Sequence, residues 1–573
     1  MKYSSFKHPN LFLLALLATM SAGCARSADE KAVDVGESTA PVTATIQTES
    51  TAPTAVPTPT ASPVQATISL PPLKLPSPPV LRTQSTLQIA QAKAKLAKYP
   101  TSAGWRRLAE LHIAAGQFAE AAKAYRQEAA IYRAKGLTDA ASIQEAKAAR
   151  YESEIRLSVV RKPTENELKV LWTRARLEPK TGAYIGAFID RDETLRRTLR
   201  GENWQTHRYP SEWAEVIGKK HASVFTYVQY GRGFPRRWLE MCKREQVIPQ
   251  IAWEPKSLHD VQDNKFLRDV AKYLKRLDWP VFIRFAGEMN GFWTPYHGNP
   301  ILYRQKFRLV HKVLTSTAPK VATIWAVNAV PVENIPNYYP GDDGCDWVGF
   351  NLYSVPFYDN NRSRPAFGDD PLTLFEPIYK RYAAKKPIAI GEYAASHQAA
   401  VDRVVRNDFA IEKMSQLYQS LPARFPRIKL VSWYSSNNLK HAKPGRQLNN
   451  YNLTQQEPIL NAYRKLIAPE YFLSEPERGD EVVPLPLRLR EGANLPRQFR
   501  INLWTKSYSK RAKLFLALGD RLLFSTNGSG AHEQTINIPQ SISPGRRVLS
   551  LYLYDEHNRF IAVQRVNVVL AAS

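Results

Sequence analysis

The chain has 573 residues, too many for one domain, and an apolar fraction of 44% that suits large packed cores. Its net charge of +27, from 79 Lys and Arg against 52 Asp and Glu, fits a nucleic-acid binder, an anionic-lipid binder or an enzyme of acidic polymers. The basic residues are spread along the chain after residue 90, however, with no helix-turn-helix, zinc-finger or single-strand-binding pattern. No nucleic-acid partner is therefore expected; the charge reads as solvated surface, with an acidic polysaccharide as the alternative. The three cysteines, Cys24, Cys242 and Cys345, exclude a disulfide framework and leave open whether the last two pair. No repeated Cys/His spacing suggests a metal, and no cofactor is expected.

Lys2 and Lys7, an apolar run over 11–20 and small residues up to Cys24 have the order of a secretory signal, and the run is too short to span a bilayer. Ser21-Ala22-Gly23-Cys24 resembles a bacterial lipobox, with Ser21 where an aliphatic residue is usual. The expectation is an exported lipoprotein of the cell envelope, held to a membrane through Cys24. The alternative is ordinary signal cleavage, after Ala28, and a secreted or periplasmic protein. Residues 25–85 are rich in Pro and Thr and predict an extended, solvated linker.

Residues 86–165 read as helices with Ala-rich faces. Trp105, Leu108, Gly116, Phe118, Ala121 and Tyr125 fall at spacings resembling one tetratricopeptide repeat. Either this segment binds a protein partner, or it is a helical hairpin docked on the neighbouring domain.

Over 170–470, short β-branched or aromatic runs alternate with longer amphipathic segments. The runs at 183–189, 223–229, 247–253, 281–285, 321–327, 347–352, 388–391 and 429–434 predict the eight strands of a (β/α)8 TIM barrel. Chemistry in that architecture gathers at the carboxyl ends of the strands. Three such ends carry carboxylates: Glu254, Glu288 and Glu392. Strand four runs into Ala286-Gly287-Glu288-Met289-Asn290 and strand seven into Gly391-Glu392-Tyr393, and those strands face each other across a barrel mouth. Cleaving a glycosidic bond needs one carboxyl to protonate the leaving oxygen and a second opposite the anomeric carbon.

Residues 284–293 resemble the acid/base motif of glycoside hydrolase family 26, and 388–393 resemble its nucleophile strand. Trp253-Glu254-Pro255 is similar to that family's strand-three ending and 347–353 to its strand six. The resemblance implies a retaining mechanism in clan GH-A, with Glu288 as acid then base and Glu392 as nucleophile. It also implies that Tyr353 orients the nucleophile and that Trp433 forms a floor under the sugar. Trp293 and Tyr296 become stacking surfaces, and Asn290 and Arg284 donors to sugar hydroxyls. Trp253 and Glu254 complete the expected substrate-binding set, although Trp253, like Trp325, suits barrel packing equally well. Glu254 fits cleft hydrogen bonding or structure better than catalysis. Gly287 stands where the family's mannanases place a His that touches the sugar, so β-1,4-mannan is the family's default rather than a reading of these residues. His221 and His297 are lone histidines with no third ligand for a metal.

Runs at 499–504, 513–517, 521–524, 548–554 and 563–569, with turns at Asn527-Gly528 and Pro544-Gly545, predict an immunoglobulin-like β-sandwich over 476–573. Such a module acts as a spacer or packing partner, or binds polysaccharide. The function expected is a retaining endo-β-glycosidase of polysaccharide. The alternatives are an endo-glycanase of β-glucan, xylan or bacterial exopolysaccharide, and a non-catalytic polysaccharide-binding or assembly lipoprotein.

Overall fold

The structure, a computed structural model, describes residues 70–77, 83–202 and 205–572. The expected signal segment with Cys24 and most of the expected linker lie outside the described residues. The end of the expected linker pairs with the last domain. Leu73 donates its N–H to Asp520 O at 2.8 Å and Leu522 donates to Pro71 O at 2.9 Å, so this stretch covers the strand Arg521–Asn527, an edge of the last domain. Pro71 and Pro72 have no N–H to extend that pairing.

Helices Thr83–Lys98, Ser102–Ala114, Phe118–Ala134 and Thr138–Tyr151 follow one another around a small core that includes Leu108, Ala109, Ala122, Tyr125 and Ala148. Gly116, at φ 71°, turns the chain between the second and third. Phe118 docks this module on the C-terminal domain: its ring lies 4.1 Å from that of Tyr508 and 5.0 Å beneath the Arg559 guanidinium.

The helical expectation for 86–165 fails beyond Tyr151. Glu154–Arg161 is a strand, antiparallel to Leu485–Arg488 on one side and to Gln498–Lys506 on the other. Ile155, Leu157 and Val159 recur at period two, a spacing that puts them on one face of a strand. That face enters the core of the C-terminal domain.

The central domain is a closed barrel of eight parallel strands: Ala183–Arg191, Ser223–Gln229, Ile248–Glu254, Val281–Phe285, Val321–Asn328, Trp347–Ser354, Ile388–Ala395 and Ile428–Ser436, the last pairing with the first. They coincide with the eight predicted runs. Helices between them bury one face each. Lys265–Leu277, for instance, packs Leu267, Val270, Ala271, Leu274 and Leu277 inward and is capped by Asn264, whose side chain accepts the Leu267 N–H at 3.1 Å. Tyr184, Ile248, Phe282, Ile324, Trp347, Ala389 and Leu430 belong to one cluster that fills the barrel floor. Side chains alternate along a strand, so the residues at even steps from these also point inward: Glu254, Arg284, Asn328, Asn351, Tyr353 and Tyr434. Cys242 and Cys345 are buried free thiols, which answers the pairing question.

The C-terminal domain is a sandwich of two sheets. One has the order 485–488, 154–161, 498–506, 530–537; the other 493–495, 560–570, 545–554, 513–518, 521–527. Leu157, Ile501, Leu503, Leu514, Leu551 and Val566 pack between them. The five predicted runs are all strands here. Gly530–Asn537, which has no apolar run to announce it, joins them.

Leu157 is fully buried, and Leu157→Ala is expected to destabilise the sandwich by about 2–5 kcal/mol, measured by urea unfolding. An unchanged transition would return this segment to the helical module.

Candidate active site

Strand four stops at Phe285, and the turn that follows has left-handed backbone at Ala286, φ 46°, and Glu288, φ 60°. Such conformations persist where neighbours over-determine them. Ala286 N–H donates to Trp253 O at 3.0 Å and Glu288 N–H to Ala326 O at 2.8 Å. Asn290 spends its amide on Asn328 O and Pro331 O, both at 2.9 Å, and accepts Asn328 N–H at 2.9 Å. The turn is thus clamped between the third and fifth strands.

Glu288 projects from it and accepts from Asn351 Nδ2 at 2.8 Å, Trp293 Nε1 at 2.9 Å and Asn328 Nδ2 at 3.3 Å. Burial, reinforced by the Glu392 charge, nevertheless pushes its pKa up to about 7. Glu392 leaves strand seven at a shift in register. It accepts from Arg284 Nη2 at 2.8 Å and Tyr353 OH at 2.5 Å. Arg284 Nη1 also donates to Asn351 Oδ1 at 3.2 Å, and its guanidinium rests 4.7 Å over the Phe225 ring. A continuous chain of hydrogen bonds therefore runs Glu288–Asn351–Arg284–Glu392. Gly391 gives it room: a Cβ there would stand 2.7 Å from both Arg284 Nη1 and Asn351 Oδ1.

Glu254, ending strand three, is a third carboxyl at this mouth. It contacts the Tyr296 hydroxyl, which also lies 2.8 Å from Gly287 O. Burial pushes the Glu254 pKa up to about 7, against the opposing pull of Tyr296 and Arg284.

Glu254, Arg284, Glu288, Tyr353 and Glu392 are thus brought together, with Trp293 partly exposed above them. Four expected sugar contacts are placed otherwise. Trp253 packs on Tyr230, Phe234, Phe266 and Phe285 outside the barrel wall. Trp433 likewise turns outward onto Tyr393 and Tyr463, one step out of phase with the inward Tyr434. Asn290 is fully committed to the backbone of strand five and its loop. Tyr296 is a buried brace rather than a stacking surface. Trp325 also faces outward, against Tyr339 and Tyr382. His221 bonds Tyr463 OH at 2.9 Å, and burial lowers its pKa to about 3. His297 contacts Met289 O at 3.2 Å.

Asn351, Asn328 and Tyr434 were not anticipated. Asn351 lies two residues before Tyr353 on the same strand face, a period-two signal that could have found it. Tyr434 stacks on Phe188 at 5.0 Å and meets the Tyr353 ring edge-on at 5.8 Å. Phe292, beside Trp293, is 59% exposed.

A parallel eight-stranded barrel with two glutamates converging from strands four and seven has the layout of a glycosyl hydrolase. Residues 247–367, from the third strand past the sixth, match the model of Glycosyl hydrolase family 26. The barrel is thus similar to this family across that stretch, and the motif at 284–293 falls inside it. A β-1,3-xylanase from Alcaligenes sp is 25% identical over 152 residues, 26% of this chain and 30% of that protein. The β-1,3-xylanase TXYA from Vibrio sp is 26% identical over 106 residues, 18% of this chain and 23% of that protein. The chain thus covers less than a third of either curated relative's length. Among solved structures, a modular endo-β-1,4-mannanase from Cellulomonas fimi aligns with 70% of this chain and 99% of its own at 12% identity and a TM-score of 0.37.

Gly391→Ala is expected to push Arg284 and Asn351 off their partners and to cut glycosidase turnover by about 10–100-fold, with wild-type circular dichroism and a lowered thermal midpoint. Unchanged turnover would mean that the Arg284–Asn351 link does not position the carboxyls.

Proposed function

We propose that this chain is a retaining endo-β-glycosidase, with Glu288 as general acid and then base and Glu392 as nucleophile. The observation that carries this reading is the asymmetry of the two carboxyls across one hydrogen-bonded chain. Glu392 is hydrogen-bonded by a buried guanidinium and a tyrosine hydroxyl, whereas Glu288 accepts from the neutral Asn351, Trp293 and Asn328, with Arg446 acting on it through charge, and has a pKa near neutrality. That is the division of labour the reaction requires.

In the first step Glu288 gives its proton to the glycosidic oxygen as the C–O bond breaks, while Glu392 bonds to the anomeric carbon from the other face. Esterified Glu392 carries no charge, so the repulsion that raises the Glu288 pKa falls away. Glu288 is then a carboxylate, suited to take a proton from the water that releases the sugar. Arg284 and Tyr353 hold Glu392 in line, and Trp293 with Phe292 offers aromatic surface beside the acid. β-1,4-mannan is the first substrate to test. β-1,3-xylan is the second, favoured by the names of the two curated relatives. Export and lipid attachment at Cys24 belong to the same proposal and rest on the sequence alone.

Reducing ends released from mannan, β-1,3-xylan, mixed-linkage glucan and β-1,4-xylan are expected from one polymer, with nearly all activity lost in Glu392→Ala. Full activity in that variant would remove the nucleophile. The first product should keep its anomeric configuration by NMR. kcat/KM should fall as pH rises through about 7, where Glu288 loses its proton. Cys24→Ala should move the protein from the membrane fraction to the soluble one; an unchanged distribution would refute the lipid anchor.

A further inference from the structure

Glu254 has no part in the steps above, yet it lies between the acid turn and the barrel wall. The Tyr296 hydroxyl carries a single proton and has two partners, the Glu254 carboxyl and the Gly287 carbonyl. A carbonyl can only accept. When Tyr296 donates to Gly287 O, the contact with Glu254 is a hydrogen bond only if Glu254 supplies the proton. Tyr296 cannot resolve the conflict by ionising, since burial raises its pKa far above the ordinary tyrosine value.

The charged and titratable groups facing Glu254 come from several elements: Arg284 on strand four, Glu288 in the turn, Glu392 on strand seven, and Tyr296 and Tyr303 beyond the turn. Arg284 directs Nη1 to Asn351 and Nη2 to Glu392, and its Nε makes no hydrogen bond. Arg284 acts on Glu254 through charge, and Arg446 acts likewise on Glu288. Oε1 of Glu254 faces Gly287, where an added Cβ would still stand 3.5 Å away, so the missing side chain leaves the carboxyl open toward the mouth and toward Glu288.

We propose that Glu254 is a proton-carrying positioning residue: as a neutral acid it donates to Tyr296 and braces the turn that bears Glu288, and on ionising it sets a negative charge beside Glu288 that keeps the acid protonated. The two carboxyls then titrate as a coupled pair rather than as independent groups. Like-charge coupling widens the pH range over which the site holds an acid, which suits an enzyme that must protonate a leaving group at neutral pH. The inference rests on the reading of Glu288 as general acid.

Glu254→Gln keeps the shape and a donor for Tyr296 but cannot ionise. Its alkaline limb in kcat/KM is expected to move to lower pH by roughly 0.5–1 unit, a shift that a purely structural role would not produce. Glu254→Ala should lose turnover throughout. Infrared spectra of the free enzyme, which need no substrate, should show one protonated-carboxyl band fewer at neutral pH in Glu254→Gln. If Glu254→Gln fails to fold, Tyr296→Phe takes its place: it removes the acceptor of the proton, and the same band must shift. A band that persists unchanged, or an alkaline limb that stays in place, would overturn the proposal. Full activity of Glu392→Ala would instead overturn the glycosidase reading and leave the infrared result standing.

Discussion

The barrel mouth is organised around one buried positive charge. The Arg284 side chain is 2% exposed, and a cation in that position is costly unless it is paired and hydrogen-bonded. Its setting meets the need from three sides: the Glu392 carboxylate, the Asn351 amide oxygen and the face of Phe225. Each of these constrains something else. Glu392 reaches the guanidinium because strand seven shifts register there, and Gly391 next to it has no side chain to intrude. Asn351, fixed by its oxygen, has its nitrogen free to hold Glu288. Taking the guanidinium away would leave a buried carboxylate unpaired, at a cost of about 3–5 kcal/mol. The geometry of the acid is therefore secured by a residue that is not hydrogen-bonded to it.

Much of this was legible in the sequence. All eight barrel strands were, because each is a β-branched or aromatic run ended by a turn. Glu254, Glu288 and Glu392 were legible as carboxylates closing apolar runs. What sequence did not disclose was which face of each strand looks inward. Parallel strands in a barrel are buried on both sides, so they show no alternation of apolar and polar residues. Trp253 and Trp433 carry the same apolar signal whether they line the mouth or fill the helix layer. The lumen-filling residues decide between the two: counting by twos from Ile248 reaches Glu254 and skips Trp253, and counting from Leu430 reaches Tyr434 and skips Trp433. Glu154–Arg161 was lost for a different reason, since it directly follows a helix and its partners are more than 320 residues away.

The three folded parts are joined by more than chain connectivity. Trp504 of the sandwich donates to Ser420 of the barrel at 3.1 Å, and Lys506 pairs with Asp370 at 2.6 Å. Phe118 of the helices packs at a tilt against Tyr508, and Arg150 lies against Gly368. These contacts surround a cleft of about 710 Å³ shared by all three. The helical module is therefore braced by both neighbours, and the barrel meets the sandwich along a seam where Leu485 and Trp504 join the barrel's apolar core beside these polar contacts.

The placement of Glu154–Arg161 has a consequence for how the molecule is assembled. This strand is the second of four in its sheet, between strands that come only after the barrel. In topological terms the barrel is an insertion within the sandwich. The strand is separated in sequence from its partners by the whole barrel, roughly 300 residues. Joining two strands across so long a loop is slow for a disordered chain, though the entropic cost grows only with the logarithm of loop length, about 0.6 kcal/mol for each doubling. A folded barrel removes most of that search, because its first and last segments leave from the same side and present the strand to its partners. The enzyme domain thus serves as the template on which its own accessory domain is completed.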